Sequence, residues 1–171
     1  LCDQISDAIL DEYLKQDPYS RTAIECFATT GKLVIGGEIN SKAVLSKADI
    51  EQTARSVIKE IGYEQGDFHW QNIDVDVLLH TQSPDIAVGV DEAEDKAEGA
   101  GDQGIMFGYA CSETEALMPA TIYYAHKILE NIFIAIKAGE IKGLGPDAKS
   151  QVTLQFEDGK PISADSVLVS I

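Results

Sequence analysis

The chain has 171 residues, of which 44% are hydrophobic, so it is long enough to bury the core of one large or two small domains. Its formal net charge is −16, which argues against binding to nucleic acid or to an anionic membrane because both need clustered cations. The sequence contains neither an apolar run of the about 18 to 20 residues that cross a bilayer nor a signal-peptide pattern, so we expect a cytoplasmic protein.

The chain begins with patterns that predict a helix followed by a hairpin. Apolar residues at helical spacing predict an amphipathic helix over residues 2–15, which Asp17-Pro18 ends. Residues 21–29 and 33–39 are predicted to be the two strands of a hairpin, and a glycine pair interrupts the second strand.

A second helix and a third strand are predicted next. Ser46 and Asp49 form a capping-box pattern at the start of a helical apolar face that Gly62 closes. Alternating acidic and apolar residues over 74–79 predict a strand with one exposed face. The first half of the chain therefore has the predicted order helix, strand, strand, helix, strand.

A long aperiodic segment separates this unit from the rest of the chain. Residues 83–98 include the acidic run Asp91–Asp95 and predict a mobile loop, which is either a lid or a linker. The acidic run itself is typical of a solvated loop. The loop leads into a glycine-rich stretch over 99–109. Composition alone leaves this stretch open between an interdomain connection and a ligand-binding loop, since glycines let a backbone approach a ligand closely.

The second half of the chain repeats the helix and hairpin. A short strand is predicted over 105–110, and Pro119 is placed as the first residue of a long helix that is nearly apolar all round. We expect this helix to be buried against a sheet or a partner chain. Strands over 151–156 and 162–171 flank Asp158-Gly159, a two-residue hairpin turn.

Several motifs resemble those of the S-adenosylmethionine synthetase (methionine adenosyltransferase) family. The stretch Gly-Ala-Gly-Asp-Gln-Gly over 99–104, followed after three residues by Gly108-Tyr109, is similar to the first signature of that family. Four further segments match the family in order: 2–8, Gly-Gly-Glu-Ile over 36–39, Gln-Ser-Pro-Asp-Ile over 82–86, and Pro-Asp-Ala-Lys-Ser-Gln-Val over 146–152. The resemblance covers essentially the whole chain.

The resemblance implies an α+β fold. It is built from repeated βαββ units, with mixed or antiparallel sheets that carry helices on one face. By this comparison, residues 1–86 are an N-terminal domain that lacks its first strand, residues 87–104 are the mobile loop and the glycine-rich signature, and residues 105–171 are the front part of a central domain.

The resemblance also implies an activity. Members of the family form S-adenosylmethionine from ATP and L-methionine, release phosphate and pyrophosphate, use Mg²⁺ and K⁺, and assemble as homodimers or homotetramers. The family's His-Pro-Asp-Lys motif is expected before Leu1 and its later glycine-rich segment beyond Ile171. We therefore expect this chain to be a fragment or a truncated member with little or no activity alone.

Three residues are implied on the ATP side of the site. By resemblance, Lys149 contacts the triphosphate and is the catalytic residue, while Asp147 and Asp102 lie near the nucleoside. A lysine charge suits phosphate, although the residues alone also allow a solvated lysine at 149 and a turn cap at Asp147. Gly145 stands where the family often has arginine, and this departure removes a cation beside the phosphate.

Three further residues are implied for methionine and potassium. The resemblance assigns Glu38 and Gln82 to methionine, and a carboxylate beside exposed backbone suits an ammonium group. It assigns Glu25 to K⁺, whereas the residues alone leave open a simple edge-strand glutamate.

Two other functional hypotheses are consistent with the sequence. One is a degenerate or split subunit with a structural or regulatory role, which binds a partner or a nucleotide without catalysis. The other is an unrelated acidic binding module in which the glycine stretch is a linker.

Overall fold

A computed structural model describes residues 1–82 and 103–171, which form two compact units, Leu1–Gly104 and Ile105–Ile171. The first unit contains helices α1 (Cys2–Gln16) and α2 (Lys47–Ile61) and strands β1 (Arg21–Thr29), β2 (Lys32–Asn40), β3 (Glu64–Gln65), β4 (Phe68–His69) and β5 (Asp74–Thr81). The second unit contains α3 (Ala120–Lys137), β6 (Lys149–Glu157) and β7 (Lys160–Ser170). This mixture of helices with mixed and antiparallel sheets confirms the α+β class.

The first unit is a three-stranded sheet with helices on one face. Strand β2 lies in the centre, antiparallel to β1 and parallel to β5. Alternate residues of these strands, including Leu33 and Ile35 of β2, form one core with the apolar stripes of both helices. The opposite face of the sheet exposes Phe27 and Leu78 to solvent.

Helix α1 forms because its apolar residues recur every four positions. Ile5, Ile9 and Tyr13 are all buried, and fully burying an isoleucine side chain contributes about 1.5–3 kcal/mol. The helix ends where the Asp17 N–H donates to the Tyr13 carbonyl at 2.9 Å, before Pro18.

The buried Asp17 carboxylate ties the end of α1 to the segment after β2. It accepts hydrogen bonds from the backbone N–H of Lys42 at 2.8 Å and of Tyr19 at 3.1 Å, and Ser41 Oγ lies 3.4 Å away. These donors, the Lys42 N–H above all, hold the pKa of Asp17 below its ordinary value because they stabilise the charged form.

Helix α2 begins and ends as the sequence predicts. Ser46 and Asp49 form the reciprocal capping box, and Gly62 ends the helix in the left-handed conformation with φ 109°. Arg55 donates to the carbonyls of Trp70 and Ile73, both at 2.7 Å, and so fixes the chain that enters β5. The small β3–β4 hairpin in this connection was not predicted, because two-residue strands carry no periodicity.

The second unit is a hairpin with one helix packed on it. Asp158 and Gly159 both have positive φ, 49° and 74°, which is the backbone of a type I′ hairpin turn and confirms the predicted turn. Helix α3 packs against β6, and Ser150 Oγ donates to the Ala125 carbonyl at 2.6 Å. Both halves of the chain thus begin with a helix followed by a two-stranded hairpin, as predicted.

The predicted strand over 105–110 and the predicted first residue of α3 are wrong. Residues 105–110 form no strand, because no strand in the described part of the chain lies beside them to pair their backbone groups, and they are exposed. Helix α3 starts at Ala120 with Pro119 as its N-cap, one residue later than predicted. The helix packs against the β6 strand of its sheet, as predicted, but within the described residues only Ala120 and Ala125 are buried, and burial against a partner chain stays a prediction. None of the described helices is long and apolar enough to span a membrane.

Candidate substrate-binding residues

Glu38 lies on the central strand of the first unit, on the sheet face opposite the helices. Its register neighbours are Ala23 on β1 and His80 on β5. The Glu38 carboxylate Oε1 lies 3.4 Å from His80 Nε2, a contact that is an ion pair when the histidine is protonated. About a third of the Glu38 side chain is accessible, at 32%, so the carboxylate can accept a further cationic group.

Gln82 directly follows β5 at the same end of the sheet. Its backbone N–H donates to the carbonyl of Ile39, the residue next to Glu38, at 2.9 Å. Its side-chain Oε1 is buried and has no hydrogen-bond partner among the described residues. A buried acceptor without a donor costs about 1–3 kcal/mol, so this oxygen suits a ligand that brings an N–H group.

Gly37 brings two strands into close approach immediately before Glu38. It pairs with Ile24 and has φ 139°, which L side chains rarely adopt. A Cβ at this position would lie 2.0 Å from the Ala23 carbonyl oxygen. Glycine is therefore required here, whereas a Cβ added at Gly36 would meet open space and the φ of that residue is ordinary.

Glu25 lies on the edge strand β1, exposed and opposite Gly36. Since paired residues of neighbouring strands point to the same side, Glu25 and Glu38 share one face of the sheet. The structure therefore brings Glu25, Glu38 and Gln82 to the same three-stranded sheet, with Glu25 the more exposed of the two carboxylates.

Asp147 and Lys149 belong to the second unit. Asp147 lies in the connection before β6, and Lys149 is the first residue of β6, where it pairs with Ser170. Both are exposed. The segment 145–148 borders a cavity of about 290 Å³ whose other wall is the Phe133 side of α3. Asp102 and the acidic run Asp91–Asp95 lie outside the described residues.

The described residues contain no preformed cluster for a metal ion. No group of three or more His, Cys, Asp or Glu side chains gathers anywhere in residues 1–82 and 103–171. Among the described residues, Glu25 therefore offers a single carboxylate to a cation.

His80 is the residue that sequence reasoning missed. The three histidines share no spacing, so the sequence predicts a structural or surface residue at position 80. Its contact with Glu38 arises from the parallel pairing of β2 with β5, two strands that are separated along the chain by α2 and a small hairpin. No local signal reveals that register.

The two units match different models of one family. Residues 1–84 match the S-adenosylmethionine synthetase N-terminal domain, and residues 97–171 match its central domain.

Curated relatives and a solved structure agree with these matches. The chain is 56% identical over 170 residues to the S-adenosylmethionine synthase of Parvibaculum lavamentivorans and 55% identical over 171 residues to that of Rhodospirillum centenum. Each match covers 99% of this chain and 44% of the relative. An unusual S-adenosylmethionine synthetase from Campylobacter jejuni has a TM-score of 0.80 and 38% identity, with 98% of this chain and 43% of that one covered. The chain thus spans less than half the length of the relatives that it matches.

Proposed function

Because the chain belongs to the S-adenosylmethionine synthetase family, we propose that it is part of a methionine adenosyltransferase. In the proposed reaction, the sulfur of L-methionine attacks C5′ of the ATP ribose and the triphosphate leaves. Water then attacks the triphosphate and hydrolyses it to pyrophosphate and phosphate. Family membership rules out the hypothesis of an unrelated acidic binding module.

The proposed methionine contacts are Glu38 and Gln82. The observation that supports them is the buried Gln82 Oε1, which has no hydrogen-bond partner among the described residues and lies at the same end of the sheet as the Glu38 carboxylate. Both groups only accept hydrogen bonds at these oxygens, and an amino-acid ammonium brings three N–H donors and a positive charge. The required glycine at 37 allows the strands to approach closely beside Glu38.

The proposed nucleotide contacts are Lys149, Asp147 and Asp102. The triphosphate gains negative charge as it leaves, so a cation held at that point accelerates the reaction by stabilising the developing charge. Lys149 supplies one such cation, and its exposure at the open end of the β6–β7 hairpin leaves it accessible to phosphate. Asp147, two residues earlier, and Asp102 would accept hydrogen bonds from the nucleoside.

Mg²⁺ and K⁺ are the proposed cofactors. Mg²⁺ supplies positive charge to the triphosphate and would take most of its oxygen ligands from it, because the described residues provide no cluster. Glu25 is the proposed K⁺ residue, with its carboxylate exposed on the edge strand.

A methionine titration by calorimetry tests the Glu38 assignment. We expect Glu38→Gln, which keeps the shape and removes the charge, to weaken methionine binding about tenfold or more, since a charge-assisted hydrogen bond contributes about 1.5–3 kcal/mol. Glu157→Gln, an exposed strand glutamate of the other unit, is the matched control. Equal binding by Glu38→Gln and the wild type contradicts the assignment.

We propose that these 171 residues have little or no synthetase activity alone, because they span 44% of the relatives' length. Phosphate release with ATP, Mg²⁺, K⁺ and methionine measures this directly. Turnover near that of a full-length relative would contradict the proposal.

A cytoplasmic homo-oligomer, dimer or tetramer, is the proposed form of the protein. The exposed sheet face with Phe27 and Leu78, at 65% and 60%, supports self-association. A structural or regulatory subunit is the second candidate function, supported by the large apolar side chains that the second unit exposes. Co-purification with another synthetase chain in the absence of phosphate release favours it.

A further inference from the structure

His80 touches the carboxylate to which the proposed function assigns the ammonium group of methionine. It pairs in register with Glu38 across the parallel strands β5 and β2, and its Nε2 lies 3.4 Å from Glu38 Oε1. Gln82, whose buried Oε1 is the other proposed contact, follows two residues later. His80 therefore lies at the end of the sheet that carries both proposed contacts.

The His80 side chain is open to solvent, whereas the Glu38 side chain is half-buried. Their exposed fractions are 65% and 32%. Histidine is the side chain that changes charge between about pH 5 and 8. When it is protonated, His80 forms an ion pair with Glu38, and when it is neutral it gives that carboxylate no compensating charge. The electrostatic surroundings of Glu38 thus depend on the pH.

Other charged or titratable side chains face this region from each neighbouring element. They are of types that ordinarily titrate outside the range from about pH 5.5 to 7.5, so they provide a constant background there. On the helix-free face of the sheet they are Arg21 and Glu25 on β1, Lys32 on β2, and Asp74 and Asp76 on β5, the two aspartates being ion-paired with Lys32. Tyr13 of α1 and Lys47 of α2 border a cavity of about 350 Å³ that His80 also lines.

We propose that His80 is a positioning residue of the methionine site and that its protonated form competes with the methionine ammonium for Glu38. The inference rests on the proposed function, since it takes Glu38 and Gln82 as the methionine contacts. Neutral His80 leaves the full charge of Glu38 to the ammonium. Protonated His80 neutralises part of that charge and places a second cation beside the ammonium, so methionine binds more weakly.

The separation of the two side chains favours competition over shared binding. An ammonium that donates to two acceptors, each at about 2.9 Å and along tetrahedral directions, holds those acceptors roughly 4.7 Å apart. His80 Nε2 and Glu38 Oε1 are closer than this, at 3.4 Å. The imidazole is therefore placed to pair with the carboxylate itself and not to join it as a second acceptor for the substrate.

Calorimetric titration of this chain with L-methionine at pH 5.5 and pH 7.5 tests the proposal. Methionine itself stays zwitterionic across this range, so a change in affinity reports on the protein. We expect the wild-type affinity to be roughly two- to fivefold weaker at pH 5.5, which is the size of effect that an exposed ion pair produces.

Three variants separate the charge of His80 from its shape. His80→Gln cannot be protonated, so we expect it to bind methionine equally at both pH values and about as tightly as the wild type does at pH 7.5. His80→Lys is charged at both values, so we expect binding to be roughly two- to fivefold weaker at both. His126→Gln replaces an exposed histidine on α3 of the other unit and should keep the wild-type pH profile.

Nuclear magnetic resonance provides a second measurement on the unmodified chain. Linkage is reciprocal, so methionine must disfavour protonation of His80 if protonation of His80 disfavours methionine. At pH 6.5 we expect added methionine to move the imidazole Cε1–Hε1 signal of His80 toward the position of the neutral form. The corresponding signal of His126 should stay in place.

The inference is overturned if the wild-type affinity is the same at both pH values or if His80→Gln keeps the wild-type pH dependence. If either result accompanies weakened methionine binding by Glu38→Gln, the proposed methionine contacts stand and the role of His80 alone is wrong. Equal binding by Glu38→Gln and the wild type, or no methionine binding by the wild-type chain, contradicts the proposed contacts and the role of His80 together.

Discussion

Both units contain a helix followed by a two-stranded hairpin, but only the first unit buries a continuous apolar core. In the first unit, two helices and three strands bury a continuous core that includes Ile5, Ile9, Leu33, Ile35 and Ile58, all fully inaccessible. In the second unit, the buried residues are two alanines, and α3 and β7 expose large apolar side chains. The same helix–hairpin motif is thus well packed in one place and half covered in the other.

This difference teaches that the helix–hairpin motif is an incomplete unit of packing. The helix of the motif covers only part of one sheet face. The rest of that face is buried when a second helix and a third strand are added, as in the first unit. Substitutions should therefore have large effects in the first unit and small effects in the second. Trp70, the single tryptophan, lies in the first unit, so its fluorescence reports the unfolding of that unit alone.

The largest effect is expected from Gly37→Ala. The added Cβ overlaps the Ala23 carbonyl oxygen and the positive φ becomes strained, so we expect the first unit to lose more than about 3 kcal/mol of unfolding free energy. Urea unfolding followed by Trp70 fluorescence measures this loss. Gly36→Ala, where the space is open, is the control and should change stability by less than about 1 kcal/mol. Similar losses for the two variants would refute the close approach at Gly37.

A matched pair of isoleucines compares the helices of the two units directly. Ile58 on α2 is fully buried and Ile134 on α3 is 56% exposed. We expect Ile58→Ala to cost about 2–5 kcal/mol, because it leaves a cavity in the core, and Ile134→Ala to cost less than about 0.5 kcal/mol. Hydrogen exchange along each helix measures both values. A large cost at Ile134 would mean that α3 is already covered.

A smaller, pH-dependent effect is expected at Asp17. The pKa of this carboxyl is lowered in the folded state, chiefly by the Lys42 N–H, so the charged form stabilises the first unit. This contribution is complete above the unfolded pKa near 3.8 and is lost as the pH falls through the lower folded pKa. We therefore expect Asp17→Asn to lower the thermal midpoint at pH 7 and to matter progressively less below about pH 4. If the thermal midpoint of Asp17→Asn stays equally far below that of the wild type in acid, altered packing and not the lost charge explains the effect.

The last prediction concerns the chemical reactivity of Cys26 and involves no change in stability. Burial raises the pKa of this thiol from near 9 to about 11, so its reactive thiolate is scarce at pH 8. We expect alkylation of Cys26 by iodoacetamide to quicken about tenfold for each pH unit between 8 and 10. Mass spectrometry of the modified peptide follows the rate, with urea-unfolded protein as the reference. Fast labelling at pH 8 in the folded chain would contradict a closed core around β1.

Much of the fold follows from local patterns in the sequence. The apolar spacing of α1, the Ser46 capping box, Gly62 and the Asp158-Gly159 turn each act within a few residues, so their structural outcome can be read directly from the chain. The helix–hairpin repeat follows from the same signals. The motifs also identify the family, because a glycine-rich signature is a contiguous string.

Contacts between residues that are distant along the chain could be found only from the tertiary structure. The pairing of β2 with β5 places His80 against Glu38, and only the fold shows that Gln82 has a buried oxygen without a donor among the described residues. The predicted strand over 105–110 did not form, and this too depends on residues that are distant along the chain. Its composition favours a strand, but a strand exists only beside a partner, and the described residues place none there. Local signals set which elements the chain can form, and the available neighbours determine which of them are formed and buried.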